Sequence, residues 1–164
     1  MPNPRNPAGL SEFNALSEKD AESALLACCG SRAFARAVAR LRPYRDLDSL
    51  TACAEAAVRA LRWPDVLEAL GAHPRIGERP TQRWSRQEQA GVETADRAAL
   101  ADGNRAYEER FGHVYLVCAT GLTGRELLER LTGRLGNDAD GERHVVRDEL
   151  AKITRLRMAK LVAP

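Results

Sequence analysis

The chain is organised around the sequence Gly71-Ala72-His73-Pro74-Arg75-Ile76-Gly77-Glu78, which Ser85-Arg86-Gln87-Glu88-Gln89 follows after a short loop. Pro74 lacks a backbone N–H and disfavours helical dihedral angles at His73, so the imidazole is predicted to lie where a helix ends. Ser85 and Glu88 have the spacing of a capping box, which predicts that a new helix begins at Ser85. An imidazole, a carboxylate and a helix N-terminus therefore flank one irregular stretch of the chain.

These residues alone leave two interpretations open. A single histidine on a loop is more often a structural or surface residue than a catalyst, and Ser-x-x-Glu is usually only a helix cap. Their combination with an Arg-rich loop indicates instead a small polar pocket. The pattern does not decide between a structural turn and a site.

The sequence on both sides of this stretch predicts helices. Apolar residues recur at helical spacing, and Ser17, Ser31 and Thr123 each stand at a predicted N-cap. The predicted helices cover residues 17–29, 32–41, 49–61 with Asp48 as cap, 63–70, 85–110 with a weak point near 91–96, 123–135 and 141–162. Their apolar stripes assign a large set of side chains to the core, among them Leu26, Leu41, Leu67 and Leu156.

One apolar run does not fit the helical pattern. Residues 113–120 combine β-branched and aromatic side chains, which is typical of a strand, but a single strand has no partner in this chain. We therefore expect a buried helix or irregular segment that runs beneath the pocket. The chain as a whole is predicted to be an all-α, single-domain helical bundle of about seven to eight helices. Residues 1–12 are expected to form a flexible N-terminal arm and residues 13–164 the helical domain.

Composition excludes several classes of function. The 164 residues are 44% apolar with few aromatics, and 25 basic against 23 acidic residues give a net charge of +2. No basic block suits nucleic acid, and no apolar run suits a signal peptide or a membrane span. Cys28, Cys29, Cys53 and Cys118 form no metal-ligand pattern with the three histidines, so reduced thiols in the cytoplasm are expected.

Five pieces of the sequence, in this order and spacing, carry a family resemblance. They are His73-Pro74 with Gly77, Ser85-Arg86-Gln87-Glu88-Gln89-Ala90-Gly91, Asn104-Arg105-Ala106-Tyr107-Glu108-Glu109-Arg110-Phe111-Gly112, Tyr115-Leu116-Val117-Cys118-Ala119, and Glu149-Leu150 with Lys152-Ile153 and Leu156-Arg157. From about Phe13 to Leu161 the chain resembles the OHCU decarboxylases, which act on 2-oxo-4-hydroxy-4-carboxy-5-ureidoimidazoline in urate breakdown. It departs from their common pattern at Arg75-Ile76-Gly77 and at His113-Val114.

The resemblance implies an all-helical, cofactor-free decarboxylase that yields (S)-allantoin and CO2, and it allows a homodimer. It implies that His73 is catalytic and that Pro74 belongs to the pocket wall. It assigns substrate binding to the turn Ser85, Arg86, Gln87, Glu88 and Gln89 and to the segment Tyr115, Leu116, Val117, Cys118 and Ala119. It also gives a substrate-contacting role to Arg157, whereas the helical pattern alone favours a solvated side chain there.

Two alternatives compete with this enzyme. One is a small helical protein-interaction module without catalysis, which would need a contiguous basic face, but Arg and Glu are interleaved along this chain. The other is a hydrolase with a ureide or imidazole-ring substrate, for which the sequence offers no metal or nucleophile pattern. Neither alternative accounts for His73, Glu88 and Arg157 together.

Overall fold

The protein is all-helical in the residues that the computed structural model describes, which are 9–78, 83–88 and 94–164. The all-α prediction is confirmed for these residues. Nine helices lie in them, one more than the upper expectation because Leu10–Ala15 forms a helix that was not predicted. The nine helices are α1 (Leu10–Ala15), α2 (Glu18–Leu26), α3 (Arg32–Arg40), α4 (Leu47–Arg59), α5 (Trp63–Leu70), α6 (Arg83–Glu88), α7 (Thr94–Phe111), α8 (Gly124–Arg134) and α9 (Ala139–Leu161). None of the helices so described is long and apolar enough to cross a membrane.

Three predicted N-caps are confirmed. The hydroxyl of Ser17 accepts a hydrogen bond from the backbone N–H of Asp20 at 3.1 Å. The hydroxyl of Ser31 accepts one from Phe34 at 3.2 Å, and that of Thr123 accepts one from Glu126 at 3.1 Å. Each bond satisfies a donor that the first helical turn leaves without a partner. These helix starts therefore follow from local sequence.

Three predicted helix starts are wrong, those of α4, α6 and α9. Helix α4 begins at Leu47 because the carboxylate of Asp46, and not that of Asp48, accepts from the backbone N–H of Ser49 at 2.7 Å. Helix α6 begins at Arg83, so Ser85 lies inside its first turn and is not its N-cap. Helix α9 begins at Ala139 and not at Gly141, so each of the three helices begins two residues earlier than predicted.

Four leucines expected in the core are exposed. Leu26, Leu41, Leu67 and Leu156 expose 38%, 64%, 40% and 39% of their surfaces. Leu26 ends α2 and Leu41 follows the end of α3, where the packed face of the helix stops. In α9 the expected Val146, Leu150, Ile153 and Leu161 are buried, and so are Glu142, Glu149, Ala151, Thr154, Arg157 and Met158. The buried face of this helix thus includes polar and charged residues, and Leu156 lies off it.

The chain divides into two compact units. The first unit comprises the chain up to Ala69 together with Leu150–Pro164, and the second comprises Leu70–Glu149. In the first unit α2 packs on α3 and α3 packs on α4. Its largest buried apolar side chains are Phe13, Leu25, Phe34, Leu50, Leu150, Met158 and Leu161. Helix α9 contributes residues to both units.

The second unit has a core built from α7, α8 and the irregular run after α7. Helices α7 and α8 approach closely at Gly103, where an added Cβ would lie 3.1 Å from the side chain of Leu131. The core cluster consists of Ile76, Leu100, Tyr107, Tyr115, Val117, Ala119, Leu127 and Leu131. The run 113–120 forms neither helix nor strand and is largely buried, which confirms the expectation of a buried irregular segment.

Candidate active site

His73 lies on the turn that ends α5. Its backbone N–H donates to the carbonyl of Leu70 at 3.1 Å, which closes the turn, and Pro74 prevents the helix from continuing. The side chain is half-buried and its Nε2 atom is buried. The predicted placement of the imidazole at a helix end is therefore confirmed.

The chain after Pro74 is anchored on α7. The side-chain amide of Asn104 donates to the carbonyl of Ile76 at 2.8 Å, and both residues are buried. Gly77 has φ +91, a region that suits glycine, and a Cβ there would lie 3.3 Å from the Cβ of Leu100. The turn that carries His73 thus depends on a glycine for its shape and on one amide for its position.

An exposed ion pair supports the same turn. The guanidinium Nε of Arg75 lies 2.7 Å from a carboxylate oxygen of Glu108 on α7, and its Nη1 lies 3.6 Å from Glu78. The charge and hydrogen bond of Glu108 raise the pKa of Arg75 above its ordinary value. Arg75, where the chain departs from the common family pattern, therefore joins the turn to α7.

The predicted binding turn at residues 85–89 is described only in part. Arg86 and Gln87 are exposed on α6, and Glu88 is half-buried at its end. The side chain of Ser85 and all of Gln89 lie outside the described part of the structure. Arg86, Gln87 and Glu88 belong to the same unit as His73.

The predicted binding segment Tyr115–Ala119 lies in the core of the second unit. Tyr115, Leu116, Val117 and Ala119 are buried, and Cys118 is half-buried. Burial raises the pKa of Tyr115 to about 12, so the phenol stays protonated and donates to the carbonyl of Leu127 at 3.0 Å. The segment is therefore a largely buried, mostly apolar stretch of irregular backbone.

A buried charged network, which the sequence analysis did not find, surrounds this segment. The carboxylate of Glu142, at the start of α9, accepts from Arg134 Nε at 2.8 Å and from Tyr107 Oη, and its other oxygen accepts from Asn137 at 3.0 Å. Burial opposes the charge of Arg134, but the hydrogen bonds and charge of Glu142 outweigh it and raise the pKa of that guanidinium. Burial and Glu142 also raise the pKa of Tyr107.

Arg157 lies in the first unit and is only 3% exposed. The prediction of a solvated side chain, which the helical pattern alone favoured, is therefore wrong. Cys28 and Cys29 lie near its charge, and burial raises the pKa of these thiols to about 12 and about 11 although Arg157 opposes this. Both thiols are free and remain protonated at neutral pH.

Comparison with known protein families identifies one family for this chain. A family model described as OHCU decarboxylase matches residues 14–159. The chain belongs to the OHCU decarboxylase family. The match spans both units and contains every residue that the sequence analysis assigned to the site.

Relatives within the OHCU decarboxylase family are similar at moderate identity. The chain is 32% identical over 145 residues to the uric acid degradation bifunctional protein TTL of Arabidopsis thaliana, covering 82% of this chain and 45% of that protein. It is 30% identical over 131 residues to a 2-oxo-4-hydroxy-4-carboxy-5-ureidoimidazoline decarboxylase of Amia calva, covering 74% of this chain and 75% of that one. The chain thus spans less than half of the bifunctional plant relative.

Two solved structures have the same fold as this chain. An OHCU decarboxylase crystallised in the presence of (S)-allantoin matches with a TM-score of 0.76 and 30% identity, over 90% of this chain and 99% of that one. A crystal structure of (S)-allantoin synthase matches with a TM-score of 0.73 over 95% of this chain and 54% of that one. At 19% identity, this second likeness supports the fold alone.

Proposed function

We propose that the chain is a decarboxylase that converts 2-oxo-4-hydroxy-4-carboxy-5-ureidoimidazoline to (S)-allantoin and CO2 in urate degradation. The observation that carries the proposal is the likeness to the OHCU decarboxylase crystallised with (S)-allantoin, at 30% identity and a TM-score of 0.76. The family model over residues 14–159 supports it independently of any one relative. The sequence motifs around His73 and Arg157 lie inside the residues that the family model matches.

The proposed reaction breaks one carbon–carbon bond. The electron pair of the bond to the carboxylate passes into the adjacent C=N group of the imidazoline ring, and CO2 leaves. One proton is then taken up, on a fixed face, to give the neutral product. Because the substrate contains its own electron acceptor, the chemistry proceeds without a cofactor, and what the protein supplies is binding, orientation and a proton.

His73 is the proposed general acid/base. The ordinary pKa of histidine, about 6.5, lies close to working pH, where such catalysis contributes roughly 10²- to 10⁴-fold. The residue is half-buried at a helix end, and its Nε2 atom is buried. In this role His73 contacts the 4-hydroxyl or the carboxylate and transfers the proton, while Pro74 forms the adjoining wall.

The turn at residues 85–89 is proposed to bind the amide-rich part of the substrate. Glu88 accepts hydrogen bonds from ureido or ring N–H groups, and Gln89 both donates and accepts. Ser85 adds a hydroxyl, and Arg86 and Gln87 complete the turn. Backbone N–H groups in the first turn of α6 suit a carbonyl or carboxylate oxygen.

The buried segment Tyr115–Ala119 and Arg157 are proposed to complete substrate binding. The apolar side chains of the segment exclude water, which favours the conversion of a charged carboxylate into neutral CO2. Arg157 provides a planar, forked donor for a carboxylate or a ring carbonyl. It must not bind the leaving carboxylate too tightly, because ground-state binding of that group does not accelerate its loss.

The proposed partner of the protein is this ureidoimidazoline alone. The proposal includes no cofactor, nucleic acid or membrane, and it allows a homodimer. It places the reaction in the cytoplasm, since Cys28, Cys29, Cys53 and Cys118 form no disulfide, which suits a reducing compartment.

The test generates the substrate in situ from urate with urate oxidase and the hydrolase that follows it, because the substrate decays on its own. Circular dichroism is recorded while purified protein is added. We expect a rapid (S)-allantoin signal that falls about 10²- to 10⁴-fold in His73→Asn. The matched control is His144→Asn, since His144 is exposed on α9 and should leave the rate unchanged.

Two results would contradict the proposal. Decay at the spontaneous, racemising rate with the native protein would remove the decarboxylase function and favour the helical interaction module. Native activity in a folded His73→Asn variant would keep the function and exclude His73 from the proton transfer.

A further inference from the structure

Two side chains bond to the backbone of the Tyr115–Ala119 segment, one at the residue before Val117 and one at the residue after it. The guanidinium Nη1 of Arg134 donates to the carbonyl of Leu116 at 2.6 Å. The backbone N–H of Cys118 donates to a carboxylate oxygen of Glu149 at 3.3 Å. One side chain from each of two helices therefore fixes where this irregular segment runs.

The direction of Arg134 is itself fixed. Its Nε and Nη2 atoms donate to one oxygen of Glu142, at 2.8 and 2.5 Å, which leaves Nη1 aimed at Leu116. The guanidinium carbon lies 4.8 Å from the ring centre of Tyr115 and 5.7 Å from that of Tyr107. Because a guanidinium is planar and rigid, these contacts determine the position of the Leu116 carbonyl as well.

Stability alone is a weak reason for such a pair. A buried ion pair loses so much hydration that apolar residues of similar volume often stabilise a fold equally well. Glu142 is completely buried and Arg134 nearly so. A requirement for a fixed geometry explains the pair better than a requirement for a stable fold.

We propose that Arg134 is a positioning residue, which together with Glu142 and Glu149 holds the Tyr115–Ala119 backbone in the conformation that binds substrate. This inference rests on the proposed function. It assigns Arg134 no contact with the substrate. Its effect passes through the Leu116 carbonyl to the wall of the site.

The test variant is the double substitution Arg134→Met and Glu142→Gln. It removes the donor to Leu116 without leaving an unpaired buried charge, and the new amide can still bond Tyr107 and Asn137. The matched control is Arg130→Met, because Arg130 is an exposed residue of the same helix. If the double variant does not fold, Arg134→Lys replaces it, since a lysine keeps the charge but lacks the fork.

Amide hydrogen exchange gives the first measurement, which does not depend on activity. We expect exchange in residues 113–120 to become at least roughly tenfold faster in the double variant, while residues 150–162 and the control keep native rates. Unchanged exchange in 113–120, or an equal rise throughout the protein, would overturn the inference. Either result would stand even if the native protein had no decarboxylase activity.

Steady-state kinetics give the second measurement. A mobile segment lowers the fraction of protein that can bind substrate, so KM should rise about tenfold while kcat changes much less. Loss of kcat at native KM would overturn the positioning role. Absence of activity in the native protein would instead overturn the proposed function, and the role toward substrate with it, whereas the exchange data would still decide whether Arg134 holds the segment.

Discussion

The second unit contains two irregular segments that are each held through one backbone carbonyl by a helix side chain. Asn104 on α7 donates to Ile76, three residues after His73, at 2.8 Å. Arg134 on α8 donates to Leu116 at 2.6 Å. The donor of the first hydrogen bond is a neutral amide, whereas the donor of the second is a buried guanidinium that is paired with Glu142.

This difference determines how each segment responds to damage. A neutral hydrogen bond contributes a modest net free energy, so the turn of His73 can lose its anchor and keep the fold. A buried ion pair is favourable only when it is complete, because each remaining charge is strongly destabilised without the other. The turn that carries His73 should therefore tolerate the loss of its anchoring hydrogen bond. The Tyr115–Ala119 segment should not tolerate the loss of one half of its ion pair.

The largest expected effect comes from removing one partner of the buried Arg134–Glu142 ion pair. Arg134→Met alone leaves the carboxylate of Glu142 buried without its cation, so the free energy of unfolding should fall by about 3–5 kcal/mol. The double variant with Glu142→Gln should lose clearly less. Urea unfolding of both proteins measures this difference. Equal losses of unfolding free energy in the two variants would mean that the unpaired charge of Glu142 is not the cause of the destabilisation.

A smaller effect is expected from removing the neutral hydrogen bond between Asn104 and Ile76. Asn104→Ala leaves the buried carbonyl of Ile76 without this donor and should lower the free energy of unfolding by about 1–3 kcal/mol. Arg105→Ala is the control, because Arg105 is the exposed neighbour on the same helix and should change stability by no more than about 0.5 kcal/mol. If Asn104→Ala lowered the free energy of unfolding as much as Arg134→Met does, the proposed difference between the two segments would be wrong.

The smallest effect is expected from the exposed ion pair beside the His73 turn. The side chains of Arg75 and Glu108 are 51% and 28% exposed, so solvent and salt screen their attraction. Arg75→Met should change the free energy of unfolding by about 1 kcal/mol at most, and the change should shrink between low and high salt. A larger effect that does not depend on salt would show that Arg75 stabilises the turn through packing and not through charge.

The parts of the fold that sequence predicts well are those with local causes. Ser17, Ser31 and Thr123 each form a bond to a backbone N–H three residues ahead, so a short window contains the whole interaction. The start of α4 is ambiguous in the same window, since Asp46 and Asp48 are both good caps. The structure shows that Asp46 is the residue that caps the helix.

The burial of charge could not be predicted in this way. Arg134 and Glu142 are eight residues apart on different helices, and Arg157 lies near thiols more than 120 residues earlier in the chain. Each would be assigned to the surface by its residue type alone. The turn of His73 and the buried irregular segment could be located from sequence, but the side chains that fix them depend on tertiary contacts.

The division of the chain has a consequence for its synthesis on the ribosome. The second unit is one continuous stretch, Leu70–Glu149, whereas the first combines the chain up to Ala69 with Leu150–Pro164. At typical elongation rates the intervening residues take roughly 4–16 s to make. During this time the early helices lack the α9 residues that complete their unit, including Met158 and Leu161. The unit that begins first is therefore finished last, and its exposed apolar faces are where a chaperone would bind the nascent chain.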